Sequence, residues 1–86
     1  MKVQLLVSKW CPTCPQAEHV WSEVAARRSI DYEVLDVGER AGREVVSKLR
    51  IKTVPAVVID GRLQAVGAQP LGEALALVQS LGAAGE

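Results

Sequence analysis

The 86-residue chain lacks a charge excess: ten Lys and Arg stand against ten Asp and Glu, for a formal net charge of zero. That balance removes the electrostatic basis for holding a nucleic acid or an anionic membrane surface. A long apolar run is lacking too. After Met1-Lys2 the stretch Val3 to Val7 is apolar except for Gln4, far short of a signal peptide or of the ~20 residues of a membrane span. The expected location is therefore the cytoplasm. No low-complexity tract, internal repeat or linker divides the sequence, so residues 1–86 read as a single small domain with a modest core, residues 83–86 forming a frayed tail. Cysteine is scarce: the chain has only Cys11 and Cys14. Two thiols do not close a four-coordinate metal site unaided, and in a reducing compartment their spacing points to redox or metal chemistry rather than a structural staple.

Both cysteines fall in Trp10-Cys11-Pro12-Thr13-Cys14-Pro15, between the apolar run and a segment of helical pattern, Ala17 to Ala26. A thiol pair is thus held at the mouth of a helix. The first N–H groups of a helix have no internal partner and carry about half a positive charge, which stabilises a nearby thiolate by about 0.3–1 kcal/mol, more where partly buried. Cys11 is expected to be the more acidic sulfur, titrating below the ~8.5 of a free cysteine. Pro12 suits the first helical turn, where a missing N–H costs nothing. Cys14, one turn further in, is within reach of a mixed disulfide formed on Cys11. Trp10, directly before Cys11, is expected to line the reactive surface. Lys9 is either a further source of positive potential for Cys11 or a solvated lysine, and His19 reads as an exposed helix residue.

Along the chain, Lys2 to Val7 reads as a strand buried on both faces. Pro15 to about Arg28 reads as a helix with Ala17, Val20, Trp21, Val24 and Ala25 inward. Asp31 to Val37 is a second strand, with Tyr32 in the core. Glu39 to Arg50 is a helix with Ala41, Val45, Val46 and Leu49 inward, weakened by Gly42. Pro55 ends the helical pattern by making Val54 extended. Ala56 to Ile59 and Arg62 to Val66 form a hairpin around Asp60-Gly61, a type I′ turn signal. Pro70 opens a last helix with Leu71, Ala74, Leu75, Val78 and Leu81 inward, closed by Gly82. The class is α/β, in the order β-α-β-α-β-β-α.

That order, with Trp-Cys-Pro-x-Cys after a short strand, resembles the thioredoxin superfamily over about residues 1–82. The resemblance implies a minimal thioredoxin fold, a four-stranded mixed sheet with three helices. In the superfamily a cis proline after the second helix faces the thiols, and the residue before it offers its backbone to an extended substrate; Thr53-Val54-Pro55 matches that position. Gly67 falls where the family keeps a glycine that lets substrate approach. The implied activity is thiol-disulfide exchange by Cys11 and Cys14, with Trp10, Pro12, Thr53, Val54, Pro55 and Gly67 contacting substrate. The implied state is a monomer without metal or bound cofactor, carrying only a redox-active Cys11–Cys14 disulfide. Its implied partners are disulfide-containing proteins and an electron donor, either a reductase or glutathione.

Within the superfamily, glutaredoxins usually follow the hairpin with Gly-Gly and an acidic residue that holds glutathione's amino group, whereas this chain has Val66-Gly67-Ala68-Gln69-Pro70. Typical thioredoxins place a buried acid on the first central strand, and Val3 to Val7 has none. The Val-Gly-Ala-x-Pro ending is similar to the small, glutaredoxin-sized thioredoxins of prokaryotes. Two other readings stand beside this one: a glutathione-dependent glutaredoxin, and a C-x-x-C metal-binding module, whose soft thiolates suit copper or zinc. Such modules follow their first helix and second strand differently, with no helix like the one expected from Glu39 to Arg50.

Overall fold

The computed structural model describes the backbone of residues 1–85 and the side chains of residues 1–82. Seven elements follow in the expected order: β1 (Lys2–Val7), α1 (Cys14–Arg27), β2 (Asp31–Asp36), α2 (Arg40–Leu49), β3 (Ala56–Ile59), β4 (Arg62–Val66) and α3 (Leu71–Gly85). The strands make one mixed sheet in the order β2-β1-β3-β4. β1 runs parallel to β2, from Lys2 opposite Asp31 to Val7 opposite Asp36, and antiparallel to β3, with Leu5 opposite Val57.

Successive side chains of a strand point to opposite faces, and β1 uses both. Val3, Leu5 and Val7 join Val57 and Ile59 in a core cluster with Ala17, Trp21 and Val24 of α1 and Ala74 and Val78 of α3. Leu6, Ala56 and Val58 face the other way, beneath Val45, Val46 and Leu49 of α2. Hence α1 and α3 cover one face and α2 the other. Tyr32 packs against the first cluster; burial and then the charge of Glu18 push its hydroxyl up to about 12, the Ser22 side chain offsetting only part. The phenol therefore stays neutral at physiological pH.

Asp60 and Gly61 both have positive φ, 50° and 81°, as the type I′ turn requires. Asp60 also ties the hairpin to the sheet: its carboxylate accepts the Lys2 N–H at 2.9 Å, and its own N–H donates to the Lys2 carbonyl at 2.9 Å. Val57 pairs with Ala65 but Val58 with Leu63, so Gln64 is the extra residue of a bulge in β4.

Several boundaries differ from the sequence reading. α1 begins at Cys14, so the proline of its first turn is Pro15, and Pro12 sits in the preceding turn. β2 ends at Asp36 rather than Val37. Gly82 does not close α3, which is helical to Gly85. One glycine costs only ~1 kcal/mol in a helix, and Ala83 and Ala84 are the best helix formers. The last of the residues expected to fray, Glu86, lies outside the described ones.

In α2, Ala41 is exposed and Gly42 is buried, the reverse of the expected face. A Cβ on Gly42 would overlap the backbone carbonyl of Asp36. The glycine is what lets α2 lie directly on the end of β2. Gly42→Ala is therefore expected to destabilise the protein by about 1–3 kcal/mol through overpacking, although alanine alone would favour the helix by ~1 kcal/mol. A urea titration checks the sign; a stabilised variant would show that α2 can lift off β2 at no cost.

Candidate active site

Cys11 and Cys14 are joined as a disulfide, their Cα atoms 5.4 Å apart. The turn that carries them is closed by the Cys11 N–H donating to the Ser8 carbonyl at 3.2 Å, and α1 starts when the Ala17 N–H donates to the Thr13 carbonyl at 3.1 Å. Pro15 has no N–H. The amides of Cys14 and Gln16 are then the first-turn donors that no helical carbonyl can satisfy. They stand with the positive end of α1 beside the sulfurs.

Burial separates the two cysteines. Cys14 is 2 % exposed and packs in the cluster with Val7 and Ala17, whereas Cys11 is half-buried. Of the two residues, Cys11 is the more open to solvent. Around Cys11 Sγ lie the Thr13 hydroxyl oxygen and the Val54 carbonyl oxygen, each at 3.7 Å. In the disulfide state Cys11 has no proton to give, so any hydrogen bond with Thr13 is donated by the hydroxyl. No charged or polar side chain is buried among the described residues, in keeping with the absence of an acid from Val3 to Val7.

The loop before β3 is thus brought against the thiol pair from the far side of the chain. The Val54–Pro55 peptide bond is cis. Pro55 is fully buried, and its carbonyl accepts the Gly67 N–H at 2.7 Å, linking this loop to the end of β4. Gly67 has φ 90°, and a Cβ there would meet nothing within 4 Å. Within the chain, its left-handed backbone is what calls for glycine. Trp10 is 91 % exposed beside Cys11; Pro12 and Thr53 are exposed as well. Lys9 and His19 are exposed and have no hydrogen bond or ion pair with the thiol region.

One feature had no signal in the sequence. A cleft lies between Trp10 and the segment Asp36 to Glu39 that leads into α2, its loop fixed by the Gly38 N–H donating to the Asp36 carboxylate at 2.7 Å. It exists because the parallel register sets Val7 level with Asp36, so the loops after β1 and β2 emerge side by side. Among the described residues no three His, Cys, Asp or Glu side chains are placed to share a metal ion. None of the described helices is long and apolar enough to cross a membrane.

Residues 1–79 match the family described as thioredoxin domain. The chain is 34 % identical over 79 residues to a probable thioredoxin of Archaeoglobus fulgidus, covering 92 % of this chain and 87 % of that protein. It is 35 % identical over 75 residues to a thioredoxin of Methanocaldococcus jannaschii, covering 87 % of each. Among solved structures, thioredoxin 1 of Thermosipho africanus superposes with a TM-score of 0.78 at 20 % identity, covering all of both chains; that likeness shows the shared fold. With its β-α-β-α-β-β-α order, its Cys11–Cys14 disulfide at the mouth of α1 and these relatives, the chain belongs to the thioredoxin family of thiol-disulfide oxidoreductases.

Proposed function

We propose that this protein reduces disulfides of other proteins in the cytoplasm, as a monomer, with Cys11 as nucleophile and Cys14 as resolving thiol. The observation that carries the assignment is the unequal exposure of the two cysteines, Cys11 half-buried and Cys14 2 % exposed. In the reduced protein the Cys11 thiolate attacks one sulfur of the substrate disulfide, forming a Cys11 mixed disulfide and releasing the first substrate thiolate. Cys14 then loses its proton and attacks Cys11 Sγ. The second substrate sulfur leaves and is protonated, and the protein is left with the Cys11–Cys14 bond. Two electrons have passed to the substrate, and an external donor returns them.

The positive end of α1 and the Thr13 hydroxyl favour the charged form of Cys11 during attack. Trp10 and Pro12 form the apolar surface beside the sulfur. Thr53 and Val54 present backbone to an extended substrate segment, a general mode of peptide recognition, while buried Pro55 and the left-handed Gly67 hold that edge in place. Protein substrates are favoured over glutathione because residues 67–70 carry no carboxylate to pair with a glutathione ammonium. The helix α2 between β2 and the β3–β4 hairpin argues against the C-x-x-C metal module.

The test is insulin reduction run with two electron sources in parallel, thioredoxin reductase and glutathione with its reductase. The reading expects turnover, faster with the first. Turnover supported by glutathione alone would make the protein a glutaredoxin in use; no turnover with either, nor with dithiothreitol, would overturn the reductase assignment.

A further inference from the structure

The charges of this neutral chain are unevenly spread. Between Arg40 and Lys52 stand five of the ten cations, Arg40, Arg43, Lys48, Arg50 and Lys52, against one acid, Glu44. The remaining residues hold five cations and nine acids. Every one of those five cations is exposed. Lys48 and Arg50 at the end of α2 suit its dipole, but Arg40 and Arg43 occupy its first turn, where a cation is disfavoured and no acid is present. The helix gains nothing from them there beyond the pairing of Arg40 with Glu44 at 3.4 Å, both largely exposed. A shallow groove on the outer side of α2 is lined by Arg40, Arg43, Ser47 and Lys48 together with Glu44.

This stripe adjoins the reactive surface. Glu39, the residue before Arg40, lines the cleft that Trp10 walls on its other side. Lys48 lies eight residues further along α2, about 12 Å at 1.5 Å per residue. A protein interface of standard size takes up about 800 Å² on each partner, wide enough to span Trp10 and the stripe together. Asp36 and Glu39 are acidic at the junction and keep their charges, the Gly38 N–H only orienting the Asp36 carboxylate. The positive surface begins beyond them, at Arg40.

We propose that the Arg40, Arg43 and Lys48 stripe of α2 is a docking surface for an acidic partner protein whose disulfide is exchanged at Cys11. The proposal rests on the reductase reading above and adds the class of partner. Charges of this kind act mainly on the rate of encounter, raising it tenfold or more at low salt and less as salt screens them.

The test uses the dithiothreitol-reduced protein and three oxidised substrates. Two are synthetic disulfide peptides alike except for Asp and Glu, or Lys and Arg, about four positions from the cysteine, a distance of ~13 Å in an extended chain. The third is hydroxyethyl disulfide, small and uncharged. The acidic peptide is expected to react about tenfold faster than the basic one at low salt, most of the advantage vanishing near 0.15 M, where screening sets in within ~8 Å. The triple variant R40E/R43E/K48E is expected to invert the preference while hydroxyethyl disulfide reacts at the unchanged rate; R43E alone, milder to the fold, should reduce it. Equal rates for the two peptides, or a preference that survives the charge reversals, would overturn the docking surface. No reaction with hydroxyethyl disulfide would instead overturn the reductase reading beneath it.

Discussion

Serine in place of Cys11 is expected to abolish insulin reduction down to the buffer background, while serine in place of Cys14 yields a protein that attacks substrates and cannot release them. The two losses of turnover differ in kind because the two sulfurs differ in access. Cys11 is the more exposed of the two cysteines, and a hydroxyl at that position offers no thiolate. Cys14, 2 % exposed, has one partner within reach, the Cys11 sulfur to which it is bonded. Without it, the Cys11 mixed disulfide has no intramolecular route of decay. Non-reducing electrophoresis after mixing Cys14→Ser with oxidised insulin should show a covalent adduct that dithiothreitol removes. Should Cys11→Ser form the adduct and Cys14→Ser not, the roles are the other way round.

The second large effect separates the two tryptophans. Trp21 has no exposed surface and is the largest fully buried side chain of the core, whereas Trp10 is 91 % exposed. Trp21→Ala is expected to cost about 3–5 kcal/mol, the usual range for emptying a large aromatic site. A domain of this size holds only about 4–13 kcal/mol at ~0.05–0.15 kcal/mol per residue, so the variant should lose a large share of its stability and unfold at a much lower urea concentration. Trp21→Phe should cost much less. The smaller ring leaves a void, but the Trp21 indole N–H is buried with no hydrogen-bond partner among the described residues, and removing that donor returns part of its ~1–3 kcal/mol desolvation penalty. Trp10→Ala should leave stability within about 0.5 kcal/mol. Its cost should appear in kcat/KM for insulin: an aromatic anchor worth ~2 kcal/mol corresponds to a loss of about thirtyfold. Chemical denaturation and insulin kinetics on the three variants check both halves. An unfolded Trp10→Ala, or a Trp21→Ala of full stability, would contradict the assignment of one to the surface and the other to the core.

Most of the architecture was legible because local patterns and topology agree. Val3 to Val7, the spacing of Ala17, Val20, Trp21 and Val24, and the Asp60-Gly61 turn each specify one local structure, and together they leave few ways to build a sheet. The Cys11–Cys14 bond and the approach of Val54 to Cys11 were legible because Cys-Pro-x-Cys and Val-Pro are residue patterns rarely needed for packing alone. Less was legible where a role depends on another element's position. Gly42 looks like a defect in a helix until the Asp36 carbonyl is seen beneath it. The same holds for Ala41, which the helical period places inward but the close docking of α2 leaves exposed. Pro12 and Pro15 compete for one first-turn position, and local pattern does not choose between them. The cleft beside Trp10 and the stripe on α2 are products of register and of helix placement, which no single segment encodes.

The roles of Cys11 as a reactive thiolate at the mouth of α1 and of Cys14 as its shielded partner are tested most directly by the pH dependence of iodoacetamide alkylation of the reduced protein, with each cysteine followed separately by peptide mass. Cys11 is expected to titrate below the ~8.5 of a free cysteine, and Cys14 to be alkylated much more slowly at every pH. Cys11 titrating at or above that value, or reacting no faster than Cys14, would contradict those roles.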